Sequence, residues 1–342
     1  MPESFYFLFR LNGSHKIGLG HVFRCRELAN QLKKEGKESV FIVNTDSVVE
    51  SLLGDFETIQ LPQQYNAEEE LSLIKKTVQD FNVVSIVSDL LDYPDYYTRY
   101  LRGTKLEIIS FHETQIKDNF SNKIINYNSF QDSLELPIDI SGSCLGPKFC
   151  ILPYDLIKKS PITVKPKVKR ILLSFGGSDP ANYSTYFLNL LGNLNILYKH
   201  SIEIVVHLGP SNTQLTQIEA LADESNLNLT IRTNVKSLTD LMIESDLAVC
   251  SGGNTMYELC FLGVPSIILP QNQHQQYFSS ELEKNNILKL ISLDKIESKD
   301  LIIKTLLEMI ENFELRRSFN KESTQVFDGN GLNRVVDSIL SL

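Results

Sequence analysis

The residue with the clearest chemical potential is His21, in the run Ile17-Gly18-Leu19-Gly20-His21-Val22-Phe23-Arg24-Cys25. Ahead of it, Phe5 to Arg10 reads as a short apolar strand; behind it, Val22, Leu28, Ala29 and Leu32 recur at helical spacing up to Gly36. A strand, a glycine turn and a helix start gather unpaired main-chain amides at a sheet edge. An imidazole set there is a candidate base, because the partial positive charge of the helix start disfavours its protonated form. The plainer alternative is a histidine that caps or packs the turn. Cys25, one helical turn on, raises a Cys–His pair, against the ordinary reading of a small buried residue on an amphipathic helix. Asp89, after the strand Val83–Ser88, either lines the same sheet edge or caps the following segment.

The second half carries two glycine turns. Ser174-Phe175-Gly176-Gly177-Ser178-Asp179-Pro180 follows a strand directly. Its paired glycines let the backbone approach a phosphate or sugar, while Ser178 and Asp179 can cap the next helix. A tight strand-to-helix turn with no ligand is the alternative. The stronger signal is Ser251-Gly252-Gly253-Asn254-Thr255-Met256-Tyr257-Glu258, after a strand ending at Cys250. Its helix start offers amides to a diphosphate, and Glu258, about one turn in, can accept from a ribose diol. Against this stands the capping-box spacing of Thr255 and Glu258, which needs no ligand. Beyond the strand Ser266–Leu269, the amide-rich stretch Pro270-Gln271-Asn272-Gln273-His274-Gln275-Gln276 suits sugar hydroxyls or phosphate oxygens, or is a solvated loop. His274 has no second histidine or carboxylate at metal spacing, and no motif calls for a metal or cofactor.

These motifs sit on an alternation of short β-rich runs and helical patterns. In the first half the strands are Phe5–Arg10, Ser39–Val43, Val83–Ser88, Leu106–Ser110 and Lys123–Asn126, with helices such as His21–Lys34 and Ala67–Asp80 between them. That order argues for parallel βαβ units. The Tyr93–Tyr100 stretch reads as a half-exposed helix face. Lys158 to Lys169, rich in lysine and proline, reads as a linker. A second series follows: Arg170–Phe175, Ile202–Leu208, Leu227–Arg232, Asp246–Cys250 and Pro265–Leu269. The expected organisation is an α/β chain of two Rossmann-like domains facing a cleft, covering 1–157 and 170–325 with a linker at 158–169. A C-terminal helix at 326–342 crosses back to the first domain.

A length of 342 residues suits two cores of about 150 residues each. The 42% hydrophobic and 22% charged content is that of a soluble globular protein. The net charge of −9, without a dense Lys/Arg run, argues against nucleic acid as partner but not against a nucleotide. No stretch approaches the roughly 18 apolar residues of a membrane span, and no export signal is expected at the N-terminus. Cys25, Cys144, Cys150, Cys250 and Cys260 lack CxxC spacing, which suits reduced, structural thiols in the cytoplasm.

Taken in order, IGLGHVFRC, CLGPKFCIL (Cys144–Leu152), LLSFGGSDPAN (Leu172–Asn182), SGGNTMYELCFLGVPSIIL (Ser251–Leu269) and DGNGLNRVV (Asp328–Val336) resemble one family. It comprises the UDP-2,4-diacetamido-2,4,6-trideoxy-β-L-altropyranose hydrolases of pseudaminic acid synthesis and the related spore-coat polysaccharide proteins. The second half is also similar to the nucleotide domain of the lipid II-forming N-acetylglucosaminyltransferase. The resemblance implies a GT-B architecture with UDP held mainly by the C-terminal domain. It makes His21 the catalytic residue, with Gly252, Gly253, Asn254, Thr255, Glu258, Gln273 and Gln275 on UDP. The sugar-side candidates are Asn12, Gly18, Gly20, Asp89, Tyr93, Gly176, Gly177 and Ser178. Three positions depart from the family pattern: Asn12 where an acid is common, Leu91 where a tyrosine is common, and His112-Glu113 where an acidic pair is expected. An asparagine cannot hold a histidine's charge as a carboxylate does, and Tyr93 is the candidate to offer the sugar the polar group that Leu91 lacks.

The implied reaction is metal-independent hydrolysis of a UDP-activated deoxy-amino or diamino sugar at the anomeric C–O bond. It releases UDP and a free sugar for nonulosonic acid or surface-glycan synthesis. UDP leaves readily, so the carboxylate pair of ordinary glycosidases is dispensable; a base for water and amides for the departing phosphate suffice. The alternative is an inverting UDP-sugar glycosyltransferase in which His21 deprotonates an acceptor hydroxyl. A third reading is a nucleotide-sugar-binding protein without catalysis.

Overall fold

A computed structural model of the chain describes residues 5–13, 19–62, 64–113, 120–128, 130, 142–192, 194, 197, 201–235 and 237–341. The chain divides into two compact units, Met1–Tyr154 with Gly329–Leu342, and Asp155–Asp328.

The first unit is built on seven parallel strands in the order β3-β2-β1-β4-β5-β6-β7. They are β1 (Tyr6–Leu11), β2 (Glu38–Asn44), β3 (Glu57–Leu61), β4 (Val83–Asp89), β5 (Glu107–Phe111), β6 (Lys123–Asn126) and β7 (Cys144–Leu145). A central strand covered on both faces must be apolar throughout, and Phe7 to Leu11 is buried at every position. The exception in type is Arg10, fully buried and ion-paired at 2.6 Å with Glu70. Helix α1 (Gly20–Lys34) turns Val22, Cys25, Leu28, Ala29 and Leu32 inward. Lys33 and Lys34 complement its C-terminal dipole, and Gly36 leaves at φ 74°. Helix α3 (Ala67–Asp80) starts at a capping box: Asn66 accepts from the Glu69 amide at 3.0 Å and Glu69 from the Asn66 amide at 2.8 Å. Between them lies the short α2 (Ser47–Leu52), and α4 (Asp95–Gly103) follows β4. The C-terminal helix Gly331–Leu340 belongs to this unit. A side chain at Gly331 would lie 2.1 Å from the Cys150 carbonyl, and the buried Lys123 ammonium donates to the Ser338 carbonyl near that helix's end.

The second unit repeats the plan with six parallel strands in the order β10-β9-β8-β11-β12-β13. These are β8 (Arg170–Ser174), β9 (Glu203–Leu208), β10 (Asn228–Thr233), β11 (Leu247–Cys250), β12 (Ser266–Ile268) and β13 (Lys289–Leu290). The stretch from Lys158 to Lys169 has neither helix nor strand, yet it is fixed: the Ile162 amide donates to the Leu262 carbonyl at 2.8 Å. The fully buried Arg316 donates to the carbonyls of Lys165 and Pro166 and to those of Met309 and Ile310 at the end of helix Lys299–Glu311.

Both sheets are therefore Rossmann-like, as the alternation predicts. Each runs outward from its first strand and then returns to the other side, creating a switch point between β1 and β4 and another between β8 and β11. Ligands bind such sheets outside the carboxyl ends of those strands. Strand β3 escapes the sequence reading because only Leu61 of its residues is buried. The stretch Gln273–Gln276 is not a loop: it is the first turn of helix Gln273–Lys284, capped by Asn272, whose side chain accepts from the Gln275 amide at 3.0 Å.

Candidate active site

At the first switch point, α1 begins at Gly20 and places the buried His21 in its first turn. Its Nδ1 lies 2.6 Å from Oδ1 of Asp89, the last residue of β4. A carboxylate only accepts, so the Asp89 contact calls for a proton on Nδ1, and in the neutral ring the lone pair is then on Nε2; Arg24 Nη2, itself a donor, also stands 2.9 Å from Nδ1. Among the described residues Nε2 has no hydrogen bond, its nearest charged neighbour being Glu113 Oε1 at 3.8 Å. Asp89 in turn takes a two-point grip from Arg24, whose Nε reaches Oδ2 at 2.6 Å and Nη2 reaches Oδ1 at 2.5 Å. Burial alone would raise the Asp89 carboxyl; the Arg24 guanidinium and His21 overcome it and hold the group well below the usual carboxylate range. Arg24 continues to Glu113 at 3.1 Å and the Tyr127 hydroxyl at 2.9 Å, with its guanidinium 4.9 Å from the Phe111 ring centre. The result is an imidazole with one nitrogen locked and the other free, the arrangement of an oriented base.

Cys25 is not part of a thiol–imidazole pair. Its sulfur lies 3.4 Å from Asp89 Oδ2, and burial pushes its thiol well up, so it stays protonated. Asp89 lines the sheet edge and holds His21 and Arg24; it does not act as a cap for α4, whose N-cap is Pro94 and which has no side-chain cap. The expectation that Asn12 weakens the hold on His21 is overturned, because Asp89 supplies the carboxylate and the Asn12 oxygen accepts from Arg10 Nη1 at 2.8 Å. Tyr93 does not offer its hydroxyl in place of Leu91: that group donates to the Ser88 and Phe111 carbonyls, each at 2.8 Å, and the ring stacks on His112 at 5.1 Å. Leu91 itself is 54% exposed. A cavity beside His21 is lined by Asn12, Tyr65, Glu70, Leu91 and Tyr96 among others. Gly18 lies outside the described residues.

Sequence reasoning missed Arg24, Glu113 and Tyr127 as partners. For Arg24 the signal was present, since i+3 from His21 is the same helix face.

In the second unit the turns after β8 and β11 lie side by side. Gly176 takes φ 85°, a conformation that favours glycine, and Asp179 accepts from the Tyr183 and Ser184 amides at 2.9 and 2.8 Å, capping helix Tyr183–Leu191. Ser178 is exposed and caps nothing among the described residues. A Cβ on Gly209 would meet Gly177 Cα at 2.4 Å, a close backbone approach that sequence reading overlooked. Gly253, not Thr255, is the N-cap of helix Asn254–Leu262, with no side-chain cap, so the capping-box alternative fails. Gly252 is packed against the neighbouring helix, where a Cβ would sit 2.7 Å from Ser279 Oγ, and its amide donates to Gln275 Oε1 at 3.2 Å. The same oxygen accepts from the Gln271 amide at 2.9 Å, and Gln271 Nε2 donates to the Phe175 carbonyl at 2.8 Å. Gln275 thus latches the turns together, while Gln273 is exposed.

The free amides of this turn begin at Gly253: among the described residues, those of Gly253, Asn254 and Thr255 have no acceptor. A Cβ on Gly253 or on Gly177 would meet nothing within 4 Å, so packing does not require glycine at either position. Glu258 is half-buried, has no hydrogen bond or ion pair among the described residues, and is pushed up to about 7 by desolvation alone. An anion-seeking helix start beside an unpartnered carboxylate suits a ligand with phosphates and hydroxyl donors.

Two Rossmann-like halves of this kind are the elements of a GT-B fold. Residues 171–334 match the Glycosyltransferase family 28 C-terminal domain. Among its homologues is the spore coat polysaccharide biosynthesis protein SpsG of Bacillus subtilis, 24% identical over 95% of this chain and 94% of that protein. An uncharacterised protein of Methanocaldococcus jannaschii is 27% identical over 78% of this chain, which spans about half of that protein's length (55%). The Helicobacter pylori pseudaminic acid cytidylyltransferase and UDP-2,4-diacetamido-2,4,6-trideoxy-beta-L-altropyranose hydrolase is 24% identical over 88% of this chain and 49% of that protein. In fold, the crystal structure of Acinetobacter baumannii MurG superposes with a TM-score of 0.70 at 16% identity, covering 98% of this chain and 99% of that one. No helix among the described residues is long and apolar enough to cross a membrane.

Proposed function

We propose that this chain hydrolyses a UDP-activated amino or diamino deoxy sugar, without a metal, at the anomeric C–O bond. The observation that carries the reading is His21, its Nδ1 held by Asp89 at 2.6 Å and its Nε2 free. Nε2 takes a proton from water, the water oxygen bonds to the anomeric carbon, and the C–O bond breaks with its electron pair leaving on the phosphate oxygen of UDP. Asp89 stabilises the imidazolium so formed, and attack opposite UDP inverts the anomeric centre. The amides of Gly253, Asn254 and Thr255 are assigned to the diphosphate and Glu258 to the ribose diol. The named hydrolase activity of the Helicobacter pylori relative supports water as the acceptor. The family 28 match and the MurG fold favour a second reading, transfer to a hydroxyl acceptor with His21 in the same role.

Reaction in 18O-labelled water separates the two. Hydrolysis at the anomeric C–O bond gives free sugar carrying one label and unlabelled UDP, with no acceptor present. Label in the phosphate, or UDP release only when an acceptor is added, overturns the hydrolase reading.

A further inference from the structure

Building on the proposed use of His21 on a UDP-sugar, we infer that Glu113 is a second acceptor for the attacking water. The site thereby selects water, which has two hydrogens to give, over an alcohol, which has one.

Glu113 follows the end of β5 as Asp89 ends the neighbouring parallel strand β4, so both carboxylates stand at the carboxyl edge of one sheet. The main chain is held there: the His112 amide donates to the Ile125 carbonyl at 3.0 Å, and Asn128 Nδ2 donates to the Glu113 carbonyl at 3.3 Å. Arg24 orients both acids. Its Nε and Nη2 hold Asp89, which meets His21 at Nδ1, while its Nη1 reaches Glu113 Oε1 at 3.1 Å. That oxygen comes to 3.8 Å from His21 Nε2, too far for a direct hydrogen bond. A single water oxygen at about 2.8 Å from each atom spans the gap. A carboxylate oxygen has two lone-pair sites, so Oε1 can accept from Arg24 and from that water together. Glu113 is also the more open of the pair, its side chain 24% exposed against 7% for His21.

Water in that position donates one hydrogen to Nε2 and the other to Glu113, which leaves an oxygen lone pair to bond to the anomeric carbon. As the C–O bond breaks and its electron pair leaves on UDP, the first hydrogen passes to Nε2 as a proton. The second stays on the oxygen and becomes the hydrogen of the anomeric hydroxyl in the free sugar, so Glu113 neither gains nor loses a proton. An alcohol has a single hydrogen. Once that is given to Nε2, the oxygen can turn only its carbon substituent or a lone pair toward Glu113, and the contact is lost or opposed. A hydrogen bond to a charged acceptor, kept in one case and lost in the other, is worth about tenfold or more. Glu113 therefore bears on which acceptor reacts and not on the hold on UDP.

The test is solvolysis of a panel of UDP-amino and UDP-diamino deoxy sugars in water–methanol mixtures, with free sugar and methyl glycoside measured separately. Wild type, Glu113→Gln, Glu113→Met and Glu113→Ala are compared, with a melting curve for each. Wild type should give free sugar in about tenfold or greater excess over the mole ratio of water to methanol in the solvent. Glu113→Met fills the same space without an acceptor, and Glu113→Ala opens it; both should lower the ratio of free sugar to methyl glycoside about tenfold. Glu113→Gln keeps an oxygen for Arg24 and the water, so it should keep most of that ratio even where loss of the charge slows both products. A loosened His21 or a lost charge slows water and methanol alike and leaves the ratio where it was. Wild type that shows no excess of free sugar, a ratio unchanged in Glu113→Met, or a ratio that falls equally in Glu113→Gln overturns the inference, while acceptor-free hydrolysis by wild type leaves the proposed function standing. Wild type that hydrolyses no member of the panel removes both.

Discussion

Asp89→Asn keeps the outline of the side chain but replaces one acceptor oxygen with a donor. In the folded chain both oxygens face donors: Oδ1 meets His21 Nδ1 at 2.6 Å and Arg24 Nη2 at 2.5 Å, while Oδ2 meets Arg24 Nε at 2.6 Å and the Cys25 thiol at 3.4 Å. With the new amide toward His21, it donates to Nδ1, moves the ring proton to Nε2 and disables the base. With the amide toward Oδ2's place, it opposes Arg24. Either way a buried guanidinium is left without its main counter-charge. Breaking a buried pair costs about 3–5 kcal/mol, and Glu113, 3.1 Å from Arg24 Nη1, offsets part of it. A loss of about 3 kcal/mol lowers the melting temperature by roughly 6–12 °C for a unit of this size. Loss of the correct tautomer lowers turnover by about 10²–10⁴-fold, while UDP affinity is unchanged. Asp89 titrates lower folded than unfolded, where it sits near about 3.9, so its contribution is complete above that pH and is lost as the pH falls below it. The melting curves of wild type and variant should therefore draw together as the pH falls below about 4. Turnover within threefold of wild type, in a folded variant, would refute the role given to Asp89.

Three further outcomes follow from the second unit and the chemistry. Glu258, pushed up to about 7 by desolvation, destabilises the fold as pH rises from its unfolded value of about 4.3 through 7. Glu258→Gln should thus raise the melting temperature at pH 8 but not at pH 4, and weaken UDP binding by about 10–100-fold through loss of a charged acceptor for the ribose; isothermal titration and melting curves read both. Gly253→Ala places a methyl in open space and should leave the melting temperature unchanged while weakening UDP, whereas Gly252→Ala drives a Cβ to 2.7 Å from Ser279 Oγ and 2.9 Å from the Gln275 carbonyl and should lower it. UDP release should persist in excess chelator; loss restored by magnesium or manganese contradicts the metal-independent mechanism.

The apolar strands are legible because a parallel sheet buried on both faces leaves continuous apolar runs, as in Phe7–Leu11 and Leu247–Cys250. The strands stand where the pattern places them, with ends displaced by a residue or so, as at β1 and β5. The turns at His21 and at Ser251–Glu258 are legible through their glycines. What the chain order hides is pairing over distance. Asp89 meets His21 from 68 positions away, and Glu70 meets Arg10 from 60. Nothing local says that a strand's last carboxylate will face a helix's first turn. Asn12 misleads for the same reason, since its partner is a buried arginine two residues earlier whose direction depends on Glu70 and Tyr65. Gln275 resembles a ligand amide in the sequence because its two main-chain donors, on Gly252 and Gln271, approach only in the folded unit.

The proposed chemistry turns on His21 activating water on a UDP-sugar. The measurement that reaches it most directly is UDP release from a panel of UDP-amino and UDP-diamino deoxy sugars, without acceptor, by wild type and His21→Ala, with UDP affinity measured on both. Acceptor-free release by wild type, a loss of at least about 10²-fold in the variant and equal UDP affinity are expected. Release that survives the substitution, or wild-type protein that binds UDP and releases none from any sugar, contradicts that chemistry.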